Sequence, residues 1–76
     1  MKEEIRNPDD IGRIVRKKRK RDGLTLADTA ALCGVGYRFM SELENGKKTA
    51  ALGKVLQVIQ CLGLEVEIRS REWTDG

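Results

Sequence analysis

The stretch TLADTAALCGVGYRFMSELENG, residues 25–46, decides the fold. Thr25, with Asp28 three residues later, forms a T-x-x-D capping box that opens a helix carrying Leu26, Ala30 and Cys33 at helical spacing. Gly34 stops that helix after barely two turns, and Val35 anchors the tight turn. A further short helix over about residues 36–44 turns Met40 and Leu43 inward before Asn45 and Gly46 end it. Two short helices therefore flank a glycine turn.

On the N-terminal side, Asn7 followed by Pro8, Asp9 and Asp10 predicts a helix start, because Asn caps, Pro suits the first turn and acids complement the positive dipole end. Ile11, Ile14, Val15 and Lys18 share one face, and Gly23 ends the helix. On the C-terminal side, Thr49 is placed to cap a helix whose buried stripe is Leu52, Val55, Leu56, Ile59 and Leu62, closed by Gly63. Val58 and Cys61 fall off that stripe, so the helix is apolar over a wider arc than one protomer needs. Residues 64–69, LEVEIR, alternate apolar and charged side chains with the period of a half-buried strand. That strand has no partner in the sequence, so Leu64, Val66 and Ile68 are expected to pair with the same strand of a second copy. The organisation expected is an arm over residues 1–7, a helical domain over 8–63, a dimerising strand over 64–72 and a tail over 73–76. Trp73 in that tail either packs on the intermolecular sheet or frays.

The chain of 76 residues is a single domain at most, and one this short buries only roughly 60% of its unfolded surface. A dimer would relieve that shortage. Leu, Ile, Val and Ala dominate a hydrophobic fraction of 39%, which suits a small helical core. Cys33 and Cys61 lack metal-site spacing and are expected to be buried free thiols, with no metal and no cofactor. With no histidine, no phosphate-cradling glycine loop and no nucleophile beside a base, an enzyme is not expected. There is no export signal and no run of about 18 apolar residues, so the expected compartment is the cytoplasm, with no membrane partner.

Net charge is only +3, yet residues 16–21, RKKRKR, form an unbroken basic block. Part of that block serves the carbonyl end of its own helix, and part can attract a polyanion. A helix, a short turn containing glycine and a second helix form the unit that places a helix in the DNA major groove. With Val35, Met40 and Leu43 inward, Tyr37, Arg38, Ser41 and Glu42 remain to meet base edges. Arg38 can bond bidentately to guanine O6 and N7, Glu42 can accept from cytosine N4, and Tyr37 can reach a phosphate or a thymine methyl. Phe39, beside that face, either packs on a neighbouring helix or touches a partner. Phosphate anchoring is expected at Thr25 and Leu26, where free amides open a helix, and at Asn45, Lys47 and Lys48.

Taken together, residues 25–46 and the closing Leu62-Gly63 resemble the phage repressor and Cro type of domain, the Xre helix-turn-helix family, over residues 11–63. The resemblance implies all-α packing of four or five helices, base reading at Tyr37, Arg38 and Glu42, and a structural ion pair between Arg19 and Glu44. Family members often carry Gln where this chain has Leu26, so an operator sequence does not transfer. The helix followed at once by a period-two strand is similar to HipB-type antitoxins, which dimerise through such a strand and hold a kinase-like toxin. The function this implies is a homodimeric repressor on an inverted-repeat operator in double-stranded DNA, autoregulating an operon with a HipA-like kinase toxin. A stand-alone repressor and a protein-interaction adaptor are the alternatives.

Overall fold

In the computed structural model residues 3–71 are described, and Trp73 with the rest of the expected tail lies outside them. Four helices follow among these residues: α1 Pro8–Arg21, α2 Leu26–Cys33, α3 Tyr37–Glu44 and α4 Leu52–Cys61. The Asn7 side chain accepts from the Asp10 amide at 3.1 Å and Pro8 occupies the first turn, so α1 begins where the sequence places it. In α2 the capping box is reciprocal: Thr25 Oγ1 accepts from the Asp28 amide at 3.0 Å, and the Thr25 amide donates to Asp28 Oδ2 at 3.3 Å. Gly34 then takes φ +71°, a left-handed conformation that turns the chain and lets the Val35 amide donate to the Ala30 carbonyl.

Both α1 and α2 pack on α3, and α4 packs on α2. The core is drawn from all four: Val15, Ala30, Cys33, Met40, Leu43, Val55, Val58, Ile59 and Leu62. Met40 and Val58 at its centre are fully inaccessible. Thr29 is equally inaccessible, and its hydroxyl donates to the Thr25 carbonyl at 2.9 Å, which removes the penalty of a buried polar group.

Three sequence expectations give way here. Thr49 does not cap α4: it lies in an exposed turn, Ala50 packs against the core, and Ala51 is the N-cap without a side-chain bond. Anchoring Ala50 keeps the chain in its connector for two further residues. Leu52 is then 67% exposed and Val58 takes its place inside. The sets 52/55/56/59 and 55/58/59/62 share the helical period, and packing of α4 on α2 selects the second. Cys61, expected to be buried, is exposed at the last residue of α4, while Cys33 is buried. The expected intermolecular strand is a separate matter: residues 64–71 have no ladder partner in the single chain, Leu64 leans on the core, and Val66 and Ile68 face outward. A ladder needs a neighbouring strand, and the described residues of one protomer supply none, in keeping with an expectation that places the partner in a second copy.

The crossing of α1 over α3 depends on Gly12. A Cβ there would lie 2.5 Å from the Glu44 carbonyl oxygen and 2.6 Å from that of Leu43, closer than backbone atoms tolerate. Just past the same end of α3, a Cβ on Gly46 would overlap the Asp9 side chain. Gly12→Ala is therefore expected to destabilise the domain by about 1–3 kcal/mol through overpacking, despite the better helix propensity of Ala. In a thermal melt the midpoint should fall by roughly 4–8 °C per kcal/mol, and an unchanged or raised midpoint would contradict the close crossing.

Candidate nucleic-acid interface

The eight residues of α3 divide cleanly by environment. Met40 and Leu43 are buried, whereas Tyr37 and Arg38 stand in solvent and Ser41 and Glu42 are half-buried at the edge of the same outward face. Gly36 opens the helix with no side-chain cap, unlike Thr25 at the start of α2. Phe39 settles against the core, and the Lys54 ammonium lies 5.7 Å from its ring centre, a cation–π distance. Phe39 thus packs on a neighbouring helix rather than joining the exposed face.

The orientation of α3 is fixed from behind by Arg19. Its Nε donates to Glu44 Oε2 at 2.5 Å and its Nη2 to Oε1 at 3.0 Å, a bidentate pair whose side chains are 9% and 6% exposed. The remaining Nη1 donates to the Leu24 carbonyl at 2.8 Å, so the same guanidinium also ties down the entry to α2. The hydrogen bond to Glu44 raises the Arg19 pKa against the opposing effect of burial, and the guanidinium stays charged.

The basic block of α1 is consequently not one surface. Arg19 faces inward, Lys18 pairs with Asp22 at 3.0 Å and Lys17 approaches Glu3 at 4.0 Å, while Arg16, Lys20 and Arg21 are exposed. At the start of α2, the backbone amide of Asp28 is taken by Thr25 and that of Thr29 by the Thr25 carbonyl. The amides of Leu26 and Ala27 face the same helix end, which already carries the Asp28 carboxylate. Past α3, Asn45 Nδ2 donates to the Ser41 carbonyl at 2.9 Å, holding Asn45 in the cap, and Lys47 and Lys48 are exposed.

One arrangement on this face was not anticipated. Glu42 accepts from Arg38 Nε at 3.2 Å and from Lys47 Nζ at 3.0 Å. Lys47, foremost, and Arg38 hold its carboxyl below the usual carboxylate range. The i,i+4 spacing of Arg38 and Glu42 was available in the sequence, but the return of Lys47 depends on how Gly46 turns the chain. Gln57 was also missed: its Nε2 donates to the Cys33 carbonyl at 2.6 Å and joins α4 to the end of α2.

A helix-turn-helix family profile matches residues 15–68. The chain belongs to that family. This helix-turn-helix chain is 48% identical over 68 residues, 90% of each chain, to the uncharacterized HTH-type transcriptional regulator y4mF of Sinorhizobium fredii. Its fold is similar to that of a serine-to-alanine variant of HipB in a complex with an O2 20mer, with a TM-score of 0.83 at 21% identity, covering 95% of this chain and all of the other. The HipA–HipB–O2–O3 complex gives a TM-score of 0.82 at 20% identity, covering 93% of this chain and all of the matched one. The family is the Xre type of DNA-binding transcription regulator and not an enzyme class. No helix among the described residues is long and apolar enough to cross a membrane.

Because α3 is braced by one inward ion pair, Glu44→Ala is expected to destabilise the domain by about 3–5 kcal/mol, leaving Arg19 buried without its carboxylate. The double variant Arg19→Met with Glu44→Leu should recover much of that loss, since removing both charges removes the stranded one. Denaturant melts of the three proteins check this, and a stable Glu44→Ala single variant would contradict the bracing role.

Proposed function

We propose that the chain is a sequence-specific repressor that binds an inverted-repeat operator as a homodimer and autoregulates an operon in which it is the antitoxin of a kinase-like toxin. The observation that carries DNA reading is the exposed face of α3: an arginine, a tyrosine and two small or acidic polar side chains on a helix held rigidly from behind. Arg38 reads guanine from the major groove, with Tyr37, Ser41 and Glu42 beside it. Lys47 and Lys48, the Asn45 cap and the opening amides at Thr25 and Leu26 set the register on the phosphates. Phosphate contacts make the affinity steeply salt-dependent.

Dimerisation is supported by apolar surface that one protomer leaves uncovered. An open groove of about 650 Å³ runs between α1 and the C-terminal segment; Ile5, Ile11, Ile14, Leu64 and Val66 form its apolar wall, and charged side chains, among them Glu3, Lys17, Lys18 and Arg21, share the lining. Beyond it Ile68 is 93% exposed. A second copy covering Leu64, Val66 and Ile68 would bury these side chains and give an unpaired segment its ladder. Two-fold symmetry then sets the half-sites about one helical turn, roughly 34 Å, apart. The antitoxin assignment is supported by the fold shared with HipB and by the occurrence of HipB with HipA in one solved complex.

The test is a fluorescence-anisotropy titration against DNA from upstream of the chain's own coding sequence, beside an unrelated duplex. Preferential, salt-dependent binding is expected, with Arg38→Ala losing about 1–3 kcal/mol on the upstream DNA and little on the unrelated one. Equal weak binding of both duplexes would instead favour a protein-interaction adaptor. Sedimentation of the free protein checks the dimer: a chain that stays monomeric at high concentration contradicts the proposed pairing of residues 64–72.

A further inference from the structure

The outward face of α3 is not simply cationic. Arg38, the proposed guanine reader, and Lys47, a proposed phosphate anchor, are both bonded to one carboxylate, that of Glu42. The Arg38 side chain is 89% exposed and the Glu42 side chain 31%, so the acid is the fixed member and the two long cations gather on it. Exposed pairs of this kind contribute little to the stability of the free chain. Their effect falls on what the cations can do next.

We propose that Glu42 is a specificity-determining residue, which suppresses sequence-independent DNA binding by holding Arg38 and Lys47 and is compensated only where the groove offers a cytosine amino group beside a guanine. The inference rests on the operator-reading function above and names the base pattern that α3 selects. On an arbitrary sequence, moving both cations onto phosphates strips Glu42 of its partners and leaves a bare carboxylate facing a polyanion. That cost offsets the gain from counterion release. Where guanine and cytosine lie within reach, Arg38 turns to guanine O6 and N7, and the carboxylate accepts from cytosine N4. Glu42 then exchanges a cationic partner for an amino donor instead of losing it.

The experiment compares the full chain and its Glu42→Gln variant on the upstream duplex and on a scrambled duplex of equal length and composition, by anisotropy at three salt concentrations. Glutamine keeps the size and an acceptor oxygen but removes the charge. Glu42→Gln is expected to bind the scrambled duplex about tenfold more tightly at roughly 0.1 M salt. Its log–log salt slope should steepen by up to about two per bound protomer, as the freed Arg38 and Lys47 neutralise further phosphates. The preference for upstream DNA should fall accordingly. Adding Lys47→Ala should take back about half of that steepening, and Glu42→Ala, read in parallel, should repeat it in full. A scrambled-duplex affinity and slope equal to wild type, with wild type still preferring its upstream duplex, would overturn the role of Glu42 and leave operator reading intact. Failure of the wild type to bind either duplex at low salt would overturn operator reading, and the inference with it.

Discussion

Arg19 and Glu44 meet where three parts of the chain converge. The guanidinium comes from the last turns of α1, the carboxylate from the last residue of α3, and the third donor reaches the Leu24 carbonyl just before α2. Removed from water, the pair is worth having only because both carboxylate oxygens and three guanidinium nitrogens are engaged. Its geometry is possible because Gly12 brings α1 against the carbonyls of Leu43 and Glu44. A side chain at residue 12 would push the helices apart, lengthen the ion pair and release α3 from its platform. The rigidity of the exposed face therefore derives from a contact on its opposite side, and a short helix of eight residues could not hold such a face by itself.

The local chemistry of the central stretch made most of the fold legible. Asn7 before Pro8, the Thr25–Asp28 box and Gly34 each fix a helix boundary through bonds within a few residues, so the sequence contains both partners of each interaction. The inward turn of Met40 and Leu43 followed from periodicity alone. Where the reading failed, the deciding contact came from elsewhere in the chain. Thr49 is chemically a good cap, but Ala50 is held against the core and delays the helix. Leu52 and Val58 compete for one buried position at equivalent helical spacing, and the surface of α2 decides between them. Period-two alternation over residues 64–69 is a different case, since the strand it describes has its expected partner in a second copy and a single chain neither completes nor contradicts it.

The charges on the interface obey the same distinction. The pairing of Arg19 with Glu44 came from family resemblance and not from spacing, because the two are far apart in sequence and nothing local marks Arg19 among six consecutive basic residues. Once it is inward, the block supplies fewer free cations than its composition suggests. On the other face, Glu42 gathers Arg38 and Lys47. Net charge is thus a poor guide to how this surface meets a polyanion: what matters is which cations are already occupied, and by acids in what position.

The claim on which the rest stands is that the outward face of α3, and not the C-terminal segment, meets DNA. Backbone NMR of the isotopically labelled chain, recorded with and without the upstream duplex, tests it directly. The largest chemical-shift changes should fall at Tyr37, Arg38, Ser41 and Glu42 and at Lys47, with residues 64–71 little affected. Changes concentrated in residues 64–71, with α3 unmoved, would contradict the account.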